Sequence, residues 1–409
     1  MYKVSKPLGL ILSELLEEPI FKLGLLFKTF LIITLIPNIQ SEWFVPFIIH
    51  FIENTSLVPW SSYIESGGDP LAFPYGPVML ISHLPTTFFG WIIDISLQSQ
   101  YFASLGFRLS LLLADLWLLM ILLQSFEHYW KKILIFYWLS PLVIFITYWH
   151  GQTDLIPVAL FFYSLVLIKK GNYWLSGTAL AFSIAAKHSM LIGLPFIFLY
   201  LWSYNGVNRE FQRFLSYFFC TFILIEMPFF FSEGFKSMVL DNREVDKIYW
   251  LLIDMGQDSL IFLTPLIYFL LVYFFWRIRR INFELLVASM GVAFSIIILL
   301  TPSPPGWYLW LVPIFSIHQS RYGFGAVALI SSFSILFVSY HLLNTSGPEL
   351  IFMNLDLISF YTIKDFDINS IHYTLMVGFG FLISIQILRE GIRENDYYRL
   401  GNKPIVLGI

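Results

Sequence analysis

The residues that could carry chemistry occupy a few short polar stretches of a very apolar chain. Residues 41–80 contain four carboxylates, at Glu42, Glu53, Glu65 and Asp69. A carboxylate can act as a general base and take the proton of an attacking hydroxyl group. The stretch "AAKHSMLIGLP" (185–195) joins Lys187 to His188, and a fixed cation can stabilise a developing anion such as a phosphate. The sequence therefore offers candidate bases and one candidate anion site.

Two further stretches carry polar or aromatic side chains at the junction of apolar runs. "YWHGQTDLIP" (148–157) supplies His150, Gln152 and Asp154, and "LLTPSPPGWYLWLVP" (299–313) supplies Ser303, Trp307 and Tyr308. Each also has a structural explanation, because polar turns end helices and aromatic residues prefer the membrane interface. A Lys-His pair at a helix end can likewise extend its cation to the interface. No single motif among them is specific for a function, so any functional interpretation depends on the order in which they occur along the chain.

The amino-acid composition indicates that the helices that position these residues are surrounded mainly by lipid. Hydrophobic residues make up 57% of the 409 and charged residues 12%, and the mean hydropathy is +0.73. A soluble fold of this size needs a larger polar surface, so we predict an all-α polytopic membrane protein forming a single membrane domain over residues 1–409. The net charge of −3 provides no basic patch for nucleic acid. The single cysteine, Cys220, is expected to pack in an apolar segment.

Apolar runs long enough to cross a bilayer predict about 12 transmembrane helices. They lie near 23–39, 106–124, 132–148, 155–168, 173–186, 189–203, 213–231, 259–276, 283–300, 306–318, 323–343 and 372–388. A further run at 77–95, "PVMLISHLPTTFFGWIIDI", contains Pro85 and His83 and is ambiguous.

Charge bias resolves the ambiguous run, because cytoplasmic loops collect Lys and Arg. If 77–95 does not cross, the inner loops hold 17 basic residues and the outer loops five, at Lys187, Lys236, Arg243, Lys247 and Lys364. If it crosses, the bias is reversed. We therefore predict that 77–95 is an interfacial or re-entrant helix and that both termini are cytoplasmic.

This topology divides the chain and places the polar stretches on one face. It predicts a cytoplasmic amphipathic segment at 1–22, an outer loop at 40–105 with interfacial helices, and a cytoplasmic tail at 390–409. Asp115 lies within a span, where an ionisable group is costly, so we expect it to be paired and structural. Arg108, seven residues earlier, could be its partner only if its side chain reached that far.

The order of these stretches resembles the GT-C superfamily of membrane glycosyltransferases. The segments that carry the resemblance are "PNIQSEW" (37–43), "GGDPLAFPYGPVML" (67–80), "FRLSLLLADLWLLM" (107–120), "SPLVIFITYWHGQTD" (140–154), "AAKHSMLIGLP" (185–195) and "PSPPGWYLWLVP" (302–313). Together they cover about residues 23–315. The family has an aspartate just after the first span as catalytic base, whereas this chain has Glu42 there and no Asp before Asp69. Either carboxylate is a candidate, and Glu42 is favoured.

The resemblance implies a donor, an acceptor and a role for each residue. The donor would be a polyprenyl- or dolichyl-phosphate sugar, the acceptor a glycan or glycolipid, and transfer would invert the anomeric carbon. Lys187 and His188, with Arg108, would hold the phosphate, and His150, Gln152 and Asp154 would bind sugar hydroxyls. Aromatic walls would come from Trp43, Trp60, Tyr75, Trp307 and Tyr308. No cofactor is required, although a divalent cation could take part.

The resemblance also implies a location, and two other classes of protein remain possible. The active site would face away from the cytoplasm, in a bacterial inner or plasma membrane or in the endoplasmic reticulum membrane, in contact with membrane lipid. A membrane polysaccharide polymerase or ligase would use the same kind of donor. A lipid-sugar flippase or transporter would have a similar number of spans, although the chain shows no matching halves of the kind common in transporters.

Overall fold

The structure is a computed structural model, and it describes residues 8–278, 280–345, 347–350, 355–356 and 366–395. Three predictions lie partly or wholly outside these ranges. They concern the first seven residues of the amino-terminal segment, most of the predicted outer loop at 344–371 that contains Lys364, and residues 396–409 of the carboxy-terminal tail.

The described chain is almost entirely helical. Its α-helices are α1 (Leu8–Glu17), α2 (Pro19–Thr34), α3 (Val45–Glu53), α4 (Pro59–Glu65), α5 (Pro77–Leu97), α6 (Tyr101–Ser125), α7 (Trp130–Ile133), α8 (Pro141–Val143), α9 (Leu155–Lys169), α10 (Tyr173–Ala186), α11 (Leu194–Asn205), α12 (Arg209–Phe230), α13 (Glu233–Phe235), α14 (Arg243–Asp246), α15 (Leu263–Arg277), α16 (Phe283–Leu299), α17 (Val312–Arg321), α18 (Gly323–Asn344) and α19 (Phe366–Arg393). Several begin at a proline, whose fixed φ and missing N–H suit the first helical turn.

Other helical geometries and short strands complete the chain. Wider π-helical turns occur at Gln40–Phe44, Leu134–Trp138, Ile144–Trp149 and Lys236–Leu240, and tighter 3₁₀ turns at Glu127–Tyr129, His188–Gly193, Lys247–Tyr249 and Pro305–Trp310. The strands are β1 (Leu35–Ile36), β2 (Leu252–Asp254), β3 (Leu260–Phe262), β4 (Glu349–Leu350) and β5 (Leu355–Asp356). They pair antiparallel in the order β1-β4-β5 and as the hairpin β2-β3.

The prediction of an all-α polytopic membrane protein is confirmed at this level. Within the described residues, six helices are long and apolar enough to cross a bilayer: Pro77–Leu97, Tyr101–Ser125, Glu127–Trp149, Arg209–Phe230, Gly323–Asn344 and Ile368–Arg393. Shorter apolar helices, including α9, α10, α15 and α16, coincide with further predicted spans. The total of 12 spans and the orientation of the chain stay predictions.

Helix α5, the ambiguous run, packs antiparallel against α6. His83 Nδ1 lies 2.5 Å from Ser110 Oγ, and the Asp94 carboxylate accepts hydrogen bonds from the backbone N–H groups of Phe102 and Ala103 at 2.9 and 2.7 Å. These contacts hold α5 alongside the amino-terminal half of α6. Whether α5 lies in the interface, re-enters or crosses the bilayer stays a prediction.

A buried charged network joins the helices that lead to the polar turns. Asp115 accepts hydrogen bonds from Lys28 Nζ at 2.7 Å, from the Tyr148 hydroxyl at 2.6 Å and from the Tyr137 hydroxyl at 2.8 Å. Asp115 is thus paired, as predicted, but its partner is Lys28 on α2. Arg108 instead donates to the backbone carbonyls of Ile32 and Leu35, where it satisfies the carboxy-terminal end of α2.

Candidate functional site

The candidate site is centred on Asp154, where segments far apart in the sequence meet. The "HGQTD" turn places Asp154 directly before α9, and its side chain is fully buried. Asp154 Oδ1 accepts hydrogen bonds from Lys187 Nζ, at the end of α10, and from the indole N–H of Trp310 at 2.9 Å. The Asp154–Lys187 ion pair therefore joins two of the polar stretches, and Trp310 brings in a third. We call these residues, with Tyr75 and Gln152, the Asp154 cluster.

Gly306 allows the proline-rich turn to lie against this carboxylate. A Cβ atom at position 306 would stand 2.7 Å from both Asp154 Oδ2 and Gln152 Oε1. Real Cβ atoms do not approach oxygen so closely, so a larger residue would push these side chains away. Glycine is therefore required in the "SPPGW" turn, because only the absence of a Cβ leaves room for the Asp154 and Gln152 oxygens beside it.

The outer loop contributes the fourth segment. The backbone N–H of Gly76 donates to the carbonyl of Ala186 at 3.0 Å, which holds the Pro-Tyr-Gly-Pro turn against the end of α10. Tyr75 is almost fully buried, and its hydroxyl lies 3.5 Å from Gln152 Oε1. Lys187 Nζ stands 5.1 Å from the centre of the Tyr75 ring, within range of a cation–π contact. The loop therefore forms one wall around the lysine.

Glu226 is a residue that the sequence analysis missed. It lies in the apolar run "FILIEMPFFF" of α12 and is 5% exposed, with one carboxylate oxygen 3.4 Å from His188 Nε2. The same oxygen would be 3.3 Å from a Cβ at Gly76, so it adjoins the loop turn and the Lys-His pair. The signal was available, because an acid inside an apolar span is costly and marks a candidate site.

Several buried polar atoms around these segments have no hydrogen-bond partner among the described residues. They include Asp154 Oδ2, His150 Nδ1, Gln40 Oε1 and the hydroxyl of Tyr308. Buried polar groups in proteins are normally paired, because an unpaired one costs free energy. Burial also lowers the pKa of His150 to about 4, so its imidazole is neutral near pH 7. The arrangement can offer neutral and anionic acceptors, and a lysine, to a polar ligand.

The predicted aromatic walls are mostly covered by protein. Trp307 is 5% exposed and stacks on Trp310 with ring centres 5.1 Å apart. Tyr308 is also buried. Trp60, also predicted to stack on a sugar, is fully buried, and its indole packs against Phe229 and Phe235, so protein side chains cover its ring in this structure. Trp43 remains partly exposed.

Glu42 lies on a different face of its helix from the Asp154 cluster. The inner face of residues 40–53 carries Gln40, whose side-chain amide donates to the carbonyl of Gly151 at 2.8 Å, and Phe44, whose ring packs against Tyr75. Glu42 is exposed on the opposite side. Its neighbours Ser41 and Val45 line a groove of about 810 Å³. The predicted base and the predicted phosphate site thus flank the same helix.

Asp69 and Arg108 also lie apart from the cluster. Asp69 is exposed in the loop after α4, and its carboxylate accepts a hydrogen bond from the backbone N–H of Leu71 at 2.8 Å. Arg108 is buried beside Ser104, to whose carbonyl it donates at 3.0 Å, and Ser104 lines the groove near Glu42. The structure therefore groups Lys187 and His188 together, whereas Arg108 is buried behind Ser104 and apart from them.

Similarity to known proteins gives no further guidance. No protein-family model matches the chain, and no curated protein matches it. Within the described residues there is also no group of three or more His, Cys, Asp or Glu side chains placed to hold a metal ion.

Proposed function

We propose that the chain is a GT-C-type membrane glycosyltransferase. It would transfer a hexose, mannose or glucose, from a polyprenyl- or dolichyl-phosphate sugar to a glycan or glycolipid on the non-cytoplasmic face. The observation that carries the proposal is the meeting of four distant polar stretches around the Asp154–Lys187 pair. These are the stretches whose order resembles the family, and their convergence makes one site of them.

Lys187 supplies the charge that the proposed leaving group needs. In the reaction an acceptor oxygen forms a bond to the anomeric carbon, the bond from that carbon to the phosphate oxygen breaks, and the lipid phosphate leaves with the electron pair. Lys187, held by Asp154, and His188, next to Glu226, would stabilise that phosphate. Burial of Tyr75 and Trp307 excludes water, which would otherwise compete with the acceptor.

A carboxylate must take the acceptor proton, and Glu42 is the favoured candidate. It is exposed and therefore accessible to an acceptor, whereas Asp154 is fully buried and its Oδ1 is engaged by Lys187 and Trp310. Asp69 is the alternative, because it is exposed in the loop that ends at Tyr75. Displacement assisted by one base inverts the anomeric carbon, so a product that retains the donor's configuration would contradict this mechanism.

A lipid-sugar transporter is a second candidate, and one observation favours it. The Lys28–Asp115 pair is completely buried within the helical bundle, and charged groups inside membrane segments often mark transport pathways. Against this, Asp154 and Lys187 lie at the ends of α9 and α10, beside the loop that carries Tyr75.

The test is lipid-phosphate release by the purified protein in nanodiscs. The protein would be offered polyprenyl-phosphate hexoses with glycolipid acceptors, as wild type and as Glu42→Gln, Asp69→Asn and Lys187→Met. Glu65→Gln is the matched control, since Glu65 is an exposed acid of the same loop. We expect wild type and Glu65→Gln to release lipid phosphate. In Glu42→Gln the rate of release should fall at least a hundredfold, which is the lower end of the rate enhancement that a general base provides.

The outcomes separate the candidates. Loss only in Asp69→Asn would move the base to that residue. Elongation of one acceptor by many sugars would identify a polymerase. Donor binding without release, unchanged by either carboxylate substitution, would overturn the transferase proposal in favour of a transporter.

A further inference from the structure

The groove beside Glu42 is separate from the Asp154 cluster. Its walls are α3, the carboxy-terminal half of α5, the first turns of α6 and strand β4, and its volume is about 810 Å³. This falls within the usual range for a ligand site, roughly 300–1,000 Å³. The helix over residues 40–53 divides the two sites, with Gln40 facing the cluster and Ser41 and Val45 facing the groove.

The lining of the groove selects against anions. Among the described residues that line it there is no Lys, Arg or His. The polar and aromatic side chains that line it are Ser41, Glu53, Trp91, Asp94, Ser99, Gln100, Tyr101, Ser104 and Glu349. Carboxylates accept hydrogen bonds from hydroxyl groups, whereas amides and serine hydroxyls can both donate and accept. Arg108 is buried behind this lining, 5.8 Å from the centre of the Tyr101 ring, and three carboxylates outnumber it. The set is therefore suited to a neutral ligand with many hydroxyl groups, and it disfavours a phosphate.

The two aromatic rings are already held in place. The indole N–H of Trp91 donates to Glu53 Oε1 at 3.1 Å, which fixes the ring between α3 and α5. The Tyr101 hydroxyl donates to the carbonyl of Ile33 at 2.8 Å, which fixes the phenol against α2. Fixed rings lower the entropy cost of binding, because less side-chain freedom is lost. Their apolar faces can cover the C–H surface of a sugar ring.

We propose that this groove binds the neutral glycan head group of the acceptor. The proposal rests on the function proposed above and deepens it, because it assigns the glycan of the acceptor to the groove and the lipid phosphate of the donor to Lys187. The transferred hexose must then reach past the amino-terminal turn of the helix, where Gln40 faces the cluster and Ser41 faces the groove. A hydroxyl held in the groove would lie on the side where Glu42 is exposed, next to Ser41. The lipid phosphate would remain with Lys187, where a cation is present.

The single cysteine of the chain allows a direct binding test. Cys220 is exposed and would be replaced by serine. One reporter, Gln100→Cys, lies in the groove, and Ser66→Cys, exposed at the end of α4, is the matched control outside it. The rate of labelling by a membrane-impermeant maleimide would be measured by mass spectrometry. Each reaction would contain mannotriose, maltotriose, chitotriose or a sulfated disaccharide, and no lipid-phosphate sugar donor. Ser99→Cys, also in the groove, replaces Gln100→Cys if that variant does not fold.

We expect at least one neutral trisaccharide to slow labelling in the groove threefold or more, with no effect on Ser66→Cys. Trp91→Ala should abolish the protection, whereas Trp91→Phe, which keeps an aromatic face, should retain it. The proposal is overturned if no neutral trisaccharide protects, if the sulfated sugar protects equally, or if Trp91→Ala is without effect. Protection without turnover would overturn the transferase and leave the groove as a glycan site. Turnover without protection would overturn the groove alone.

Discussion

Lys28 and Asp115 form an ion pair of 2.7 Å in which both side chains are completely buried. The ammonium group also lies 3.5 Å from the centre of the Trp138 ring. The hydroxyls of Tyr137 and Tyr148 donate hydrogen bonds to the Asp115 carboxylate. The network connects α2, which leads to Glu42, with the helix that ends at the "HGQTD" turn. It therefore fixes the relative position of the two candidate sites.

Asp115→Asn should strongly destabilise the protein. Tyr137 and Tyr148 donate to different oxygens of Asp115, so the amide oxygen replaces only one of the two acceptors and the NH2 group faces the other hydroxyl. Lys28 is also left as an unpaired buried charge, which costs about 3–5 kcal/mol. The double variant Lys28→Met, Asp115→Asn should recover much of that loss, because it removes the charge as well. Thermal unfolding in detergent measures both. Lys236→Met, which breaks an exposed pair with Glu233, should change stability by less than about 1 kcal/mol. A double variant as unstable as the sum of the two single ones would contradict this account.

Gly306→Ala should impair activity more than stability. The new Cβ would stand 2.7 Å from the Asp154 and Gln152 oxygens and displace the acid that holds Lys187. We expect lipid-phosphate release to fall at least tenfold, about 1.4 kcal/mol in the barrier. Gly325→Ala in α18 is the control, since a Cβ there meets nothing within 4 Å. Equal activity of the two variants would show that the Asp154 geometry does not matter for release.

Glu226→Gln tests the acid that the sequence analysis missed. The substitution keeps the shape of the side chain but removes the charge next to His188. If His188 holds the lipid phosphate, we expect the donor KM to rise severalfold while kcat changes less, since a binding contact is weakened. Glu233→Gln, at an exposed acid nearby, should leave both constants unchanged. A fall in kcat at constant KM would instead point to a role for Glu226 in the chemical step.

Cysteine labelling in sealed proteoliposomes decides whether α5 crosses the membrane. In a Cys220→Ser background, Ser66→Cys and Gln98→Cys report on the two ends of this helix. The excess of Lys and Arg in the other loops predicts that an impermeant reagent reaches both from the same side. Labelling of one residue from each side would show that α5 is a full span, and the prediction for all later loops would then be reversed.

Hydropathy along the chain is enough to identify the class of the protein and most of its helices. Apolar runs of sufficient length specify helices in lipid, because every backbone polar group must be paired within its own segment. Helices α6, α12, α18 and α19 therefore appear where hydropathy predicts them. The same local information marked "HGQTD", "AAKH" and "PPGWYLW" as polar interruptions that needed an explanation.

Tertiary structure alone decided which of these residues meet. The partner of Asp115 is Lys28, 87 positions away, and Lys187 is paired with Asp154, 33 positions away. Such pairs depend on how helices pack side by side, and the spacing of residues along one helix does not encode that. Packing likewise buried Trp60 and turned Glu42 away from Lys187, because which face of a helix is covered depends on the neighbours it meets.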